Sequence, residues 1–310
     1  MPWLDHRTDQ DLQQELLRQS AGGLALARPL GSQMALRFFD GRMESRPAEC
    51  CSTIQAARIS KGVVTMIDMS KRPDGRALLG TSDLSGAVKS LYGTVVLSRF
   101  DGRELRRSQL TVNANSISLA PDRLRYAFTG TWFGSDTRPQ LLVAGFLGKD
   151  VQQLSDISAQ VAGSTIRARD ADVDWSPDGR SILFSDGGMV FAIDVDSKQK
   201  RIVGQGSRAR WSPSGMQISL LSARDEPSIL DIRTGHLVVI DPGKRSARPV
   251  EWSPDGRYLL ITEADGSHVP YGCVWICKLS AMSWMPIPYY GIGGPSPQWI
   301  NLGSALLSKP

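Results

Sequence analysis

Short apolar runs, each closed off by a polar turn, recur along most of this chain. Ser181-Ile182-Leu183-Phe184, Gln217-Ile218-Ser219-Leu220-Leu221 and Tyr258-Leu259-Leu260-Ile261 all begin just after a turn built on proline and glycine. A further apolar run follows each of them: Val190-Phe191-Ala192-Ile193, Ile229-Leu230-Asp231-Ile232 and Val274-Trp275-Ile276-Cys277. Another polar turn and another run come next, as in Lys200-Arg201-Ile202-Val203. Runs of this length between turn-forming residues predict β-strands.

The turns carry an internal repeat. Trp175-Ser176-Pro177-Asp178-Gly179-Arg180 returns as Trp252-Ser253-Pro254-Asp255-Gly256-Arg257, with Trp211-Ser212-Pro213-Ser214-Gly215 as a variant. Weaker copies are Ile59-Ser60-Lys61-Gly62, Leu119-Ala120-Pro121-Asp122 and Trp299-Ile300-Asn301-Leu302-Gly303. In the two full copies the anchor residue ends one strand, proline presets φ, aspartate caps the turn and glycine accepts positive φ. The anchors 59, 119, 175, 211, 252 and 299 lie 36 to 60 residues apart, around the roughly 40–50-residue period of propeller blades. Four short strands per repeat predict an all-β fold, a six-bladed β-propeller of four-stranded antiparallel blades.

A second landmark supports that count. Phe39-Asp40-Gly41-Arg42 and Phe100-Asp101-Gly102-Arg103 read as the same third-to-fourth-strand turn. Met34 to Phe38 is then a third strand, while Trp299 and Ala305-Leu306-Leu307 supply a first and a second. N- and C-terminal strands are therefore expected to share one blade and close the ring, which removes exposed sheet edges. Residues 31–310 form the expected propeller, and residues 1–30 an N-terminal helical arm. Thr8 can cap a helix reaching Arg18, with Asp9 and Asp11 in its first turn. Leu12 and Leu16 share one face, which suits docking on the propeller rim or on a partner.

These Trp-Ser-Pro-Asp-Gly-Arg units resemble the TolB-type, WD-like propeller repeat over about residues 30–308. The Trp-Asp dipeptide of the eukaryotic WD repeat is absent. The resemblance implies a fold and little about activity, since such repeats occur in periplasmic scaffold proteins and in propeller domains attached to peptidases. No length is left here for a hydrolase domain.

Composition narrows the partners. The net charge is +5 and the pI about 9.1, which does not amount to a concentrated basic stripe, so nucleic acid is not the expected partner. No apolar run reaches membrane-spanning length. The N-terminus lacks a signal-like stretch, and Cys50, Cys51, Cys273 and Cys277 read as buried free thiols. A cytoplasmic location is expected, with the periplasm as the alternative if a signal peptide was removed.

Candidate chemistry is sparse. No Gly-x-Ser-x-Gly elbow, His-x-x-x-His pair or phosphate-binding loop occurs, so no catalytic residue, metal or cofactor is expected. Asp170, Asp172 and Asp174 alternate like calcium ligands but lack the glycine and terminal glutamate of that loop. The residues one before each anchor are Arg58, Ser118, Asp174, Arg210, Glu251 and Gln298. Alternation gives them a common orientation, toward the central channel or toward neighbouring blades.

Topology puts short turns on one face, with Arg42, Arg103, Arg180, Lys198, Lys200, Lys244, Arg245 and Arg257. Long loops fall on the other, with Trp132, Phe133, His268, Tyr271, Tyr289 and Tyr290. Aromatics in loops on a rigid scaffold make binding hot spots. The reading is a non-catalytic scaffold that binds another protein through the long-loop face, as a subunit or accessory factor of a larger complex. The alternative is a small-molecule or metal-dependent propeller enzyme, lactonase- or lyase-like, acting near Asp174 and Glu251.

Overall fold

In a computed structural model of the chain, the described residues are 12, 14–16, 18, 24–30, 33–38, 43–47, 54–60, 63–68, 93–99, 104–110, 112–122, 124–132, 139–145, 151–157, 172–240, 247–263, 273–288 and 298–301. Among them the strands fall into six four-stranded antiparallel sheets. The first in chain order holds β1 (Leu24–Leu30), β2 (Gln33–Phe38) and β3 (Met43–Pro47). The second holds β4 (Ile54–Ser60), β5 (Val63–Asp68), β6 (Gly93–Arg99) and β7 (Glu104–Leu110). The third holds β8 (Val112–Leu119), β9 (Arg125–Trp132), β10 (Gln140–Gly145) and β11 (Val151–Asp156). The fourth holds β12 (Val173–Trp175), β13 (Ser181–Asp186), β14 (Met189–Asp194) and β15 (Lys200–Gln205). The fifth holds β16 (Ser207–Trp211), β17 (Gln217–Leu221), β18 (Pro227–Asp231) and β19 (Leu237–Val239). The sixth holds β20 (Ala247–Trp252), β21 (Tyr258–Glu263), β22 (Cys273–Lys278) and β23 (Ser283–Pro288).

The last strand, β24 (Gln298–Asn301), returns to the first sheet and pairs with β1, setting Leu26 opposite Trp299. This corrects one expectation. The second strand of the terminal sheet is β1, drawn from the segment read as an arm; residues 305–307 lie outside the described residues. Each anchor position sits in the first strand of its sheet, as expected. Those strands also meet their neighbours: β4 lies against β8, β8 against β12, β12 against β16, β16 against β20, β20 against β24 and β24 against β4.

Both faces of inner strands such as β13 and β17 are buried, which explains runs such as Ile182-Leu183-Phe184 where alternation would otherwise be expected. Ile182 and Phe184 pack with Ala127, Leu141 and Val143 of the preceding sheet. Leu183 turns the other way, toward Ile218, Leu220 and Leu230 of the next. Trp175 and Trp252 each fill the seam with the sheet before them, beside Leu154 and Ile229 respectively. Trimming such a residue to alanine costs about 3–5 kcal/mol.

The repeat's turn is a self-contained hydrogen-bonded device. Ser253 Oγ donates to Asp255 Oδ1 (2.6 Å) and accepts from the Tyr258 amide (2.9 Å), while the Gly256 amide reaches the Ser253 carbonyl (2.9 Å). The Ser176 and Asp178 turn repeats this pattern. In the variant turn, Ser214 replaces the aspartate and shares a 3.0 Å hydrogen bond with Ser212. Gly179, Gly215 and Gly256 all have φ between +72° and +74°. A Cβ on each would sit 3.6–3.7 Å from the proline of the preceding turn, Pro121, Pro177 and Pro213 in order. Successive turns are thus stacked glycine on proline.

Candidate functional site

The inner strands gather most of the polar residues of interest. Ser118 lies on β8, Asp174 on β12, Arg210 on β16 and Glu251 on β20; Arg58 and Gln298 lie on β4 and β24, with side chains outside the described set. Ser118 Oγ accepts from the Trp175 amide (3.2 Å) and donates to Asp174 Oδ1 (3.4 Å). Asp174 is buried and repeats the device one sheet further on: its Oδ2 accepts from the Trp211 amide at 2.7 Å. Each residue therefore pins the backbone of the next sheet's anchor tryptophan. Arginine has no acceptor, and at the following seam the bond changes atoms. The Trp252 indole Nε1 donates to the Arg210 carbonyl (3.3 Å).

The guanidinium of Arg210 turns back across the seam. It pairs with Asp172 (3.2 Å) and donates to the Val173 carbonyl (3.4 Å) and to that of Ala209 (3.2 Å). Burial works against its charge, but Asp172, Asp174 and Glu251 outweigh that and hold its pKa above the ordinary value. Ser116 makes a second layer, accepting from the Val173 amide (3.3 Å) and donating to Asp172 (3.4 Å). The sequence pattern offered Asp172 only as part of an incomplete calcium loop and gave Ser116 no role. The echo of Ser116-x-Ser118 in Asp172-x-Asp174 was the available signal.

Ser116, Ser118, Asp172, Asp174 and Arg210 are all engaged in contacts between sheets. Among the described residues no group of histidine, cysteine, aspartate and glutamate could hold a metal ion. Cys277 is buried as a free thiol, and burial pushes its pKa up to about 12, far from a nucleophile's range. The aromatic loop residues Phe133, His268, Tyr271, Tyr289 and Tyr290 lie outside the described residues. Trp132 ends β9, with its side chain outside the described set.

Three of the short-turn cations, Lys198, Lys200 and Arg257, are engaged. Lys200 sits over the Phe191 ring (4.4 Å), and Lys198 donates to the Gln153 carbonyl (3.4 Å). Arg257 binds Asp255 (2.6 Å) and reaches Glu15 of the arm (3.1 Å). Leu12, Glu15 and Leu16 lie in helical conformation there, with both leucines fully buried. Lys278 completes the clamp on Glu15 at 2.6 Å. Hydrogen bonds from Lys278 and Tyr258 hold the Glu15 carboxyl below its usual range. Lys278 ends the third strand, where those of the fourth and fifth sheets end in Asp194 and Asp231, each capping its own turn. That break in the repeat creates the receptor for the arm.

No family model matches the sequence, and no curated protein matches it. Solved structures do. TolB from Acinetobacter baumannii aligns over 90% of this chain and 66% of its own, with a TM-score of 0.59 and 16% identity. A structure assigned as TolB from Agrobacterium tumefaciens gives 0.59 and 12%, over 88% of this chain and 91% of its own. The chain has a β-propeller fold similar to that of TolB. It spans just under two thirds of the Acinetobacter protein. A propeller from a nidogen–laminin complex aligns at a TM-score of 0.56 and 13% identity, over 86% of this chain and 93% of its own. At such identities the likeness carries the fold alone. No helix of the described residues is long and apolar enough to cross a membrane.

Proposed function

We propose that this TolB-like propeller is a non-catalytic scaffold that binds another protein. The carrying observation is that Ser118, Asp174 and Arg210, the inner polar residues best placed for chemistry, are spent on joining sheets. A catalytic centre needs groups free to meet a substrate. We take the six sheets to be six blades, closed into one ring where β24 joins β1. The contacts of β24 with both β20 and β4 support that closure. We set the boundary between arm and propeller before Leu24 rather than after residue 30, because β1 pairs with β2 and β24.

The binding face we assign is that of the long loops, through Trp132, Phe133, His268, Tyr271, Tyr289 and Tyr290. The nidogen–laminin likeness supports a protein partner. The TolB likeness favours the periplasmic alternative over the cytoplasmic location expected from the sequence. Affinity capture with mass spectrometry tests the reading. The intact chain should retain a stoichiometric partner, and Trp132→Ala or Tyr290→Ala should lose it with the fold intact. Full retention by both variants would remove the long-loop face from consideration.

A further inference from the structure

In the second to sixth sheets the inner strand and the strand beside it are consecutive in the chain, joined by a turn on the short-turn face. The first sheet is the exception. Its inner strand is β24 and the next is β1, so the two come from opposite ends of the chain. They are joined by pairing alone, from Leu24 opposite Asn301 to Ala27 opposite Gln298. Leu24 and Asn301 thus stand where the turn stands in the other sheets. The gap also interrupts the stack of turns. Gly256 of the sixth sheet packs on Pro213 of the fifth. Pro254 is the next proline of that series, and the sheet that follows has no turn between β24 and β1 to stack on it.

The arm is seated at this place. Leu12 and Leu16 are fully buried, and Glu15 between them grips Arg257 at 3.1 Å and Lys278 at 2.6 Å. Arg257 directly follows the glycine of the sixth sheet's turn, and Lys278 ends β22 of the same sheet. Leu24, the first residue of β1, comes nine residues after Glu15. One short stretch of chain therefore links the turn region of the sixth sheet to the start of β1, across the seam where β20 meets β24. The receptor is matched to this seam. The fourth and fifth sheets have Asp194 and Asp231 where Lys278 stands, and a carboxylate there would repel Glu15.

We propose that the arm is a strap that stands in for the absent turn, tying β1 to the sixth sheet and controlling how readily β1 and β24 part. Within the sheets, β1 reaches the sixth sheet by way of β24, which pairs with β1 and contacts β20. While the strap is seated, β1 remains at high effective concentration beside β24, so broken ladder bonds re-form at once. With the strap free, the same fluctuation lets the two strands separate and exposes two unpaired edges. Openings of this kind are local and need no global unfolding. The fold thus has one seam able to open by itself, and its catch is a surface carboxylate held by two cations.

Hydrogen exchange of the full chain, read by mass spectrometry, tests this. Leu12→Asp together with Leu16→Asp puts two charges where the side chains are fully buried, which ejects the strap. Exchange in β1 and β24 should then accelerate about tenfold or more, while β13 and β14, two sheets away, keep their original rates. Glu15→Lys and Lys278→Glu should each accelerate the same two strands. Combined, they restore the pair with its charges exchanged and should return β1 and β24 toward the original rate. Fast exchange over residues 12–18 with β1 and β24 unchanged overturns the proposal, since the arm is then a passive appendage. Equal acceleration in β13 and β14 overturns it as well, because the arm would then support the whole fold rather than one seam.

Discussion

Asp174 and Glu15 are both carboxylates that join separate parts of the chain, and they do so under opposite conditions. Asp174 is buried in the seam between the fourth and fifth sheets, where it accepts a short bond from the Trp211 amide beside Arg210. Glu15 sits at the surface between Arg257 and Lys278, whose side chains are 57% and 28% exposed. The seam uses backbone donors, which cannot move away, in surroundings water does not screen. The arm clamp uses long flexible cations that salt competes for. Architecture is entrusted to the first kind of contact, and attachment of the arm to the second.

The largest effect should come from Asp174→Ala. It strands the Trp211 amide and removes one of the carboxylates that stabilise Arg210, costing about 3 kcal/mol. Asp174→Asn should cost less, since its carbonyl oxygen can still accept. Chemical denaturation midpoints would check the ranking; equal losses in the two variants would mean that charge, not the amide bond, holds the seam. Ser118→Ala removes the neutral version of the same pin and should cost about 1 kcal/mol. Finding it as costly as Asp174→Ala would erase the distinction between neutral and charged seams.

The smallest effect belongs to the clamp. Glu15→Gln should lower global stability by only about 0.5 kcal/mol, while proteolysis of the first twenty or so residues becomes faster. High salt should reproduce the change in the intact chain but leave the seam unaffected. Glu15 also has a pH signature. Because its folded pKa lies below the ordinary 4.5, its contribution is complete above that value and is lost as pH falls through the folded pKa. Arm release monitored by proteolysis should therefore rise below about pH 4.5 in the original chain and show no such step in Glu15→Gln.

Much of the fold was legible because the turn is a local device. Serine, proline, aspartate and glycine at fixed spacing satisfy one another within a few residues, and the anchors marked the first strands correctly. β1 was missed for a matching reason. Leu24-Ala25-Leu26-Ala27 follows no such turn and is poor in β-branched residues; its place is set by pairing with β24 at the far end of the chain. That Ser118, Asp174, Arg210 and Glu251 lie on corresponding strands followed from their place beside the anchors. Whether those side chains would face an axis or a neighbouring sheet depends on how the sheets meet, and the local pattern does not encode that. Lys278 could have been noticed as the residue that breaks the aspartate repeat, but only the arm gives the break a meaning.

The union of β24 with β1 also has a temporal side. During synthesis β1 emerges about 270 residues before its inner partner, so the first sheet must wait, one strand short, until β24 has been made. Contacts this distant along the chain are slow to form, and the unfinished strand edge is open to mispairing meanwhile. Shortening the chain by its last dozen or so residues would therefore do more than trim an end: it would leave the nascent molecule without its final locking step.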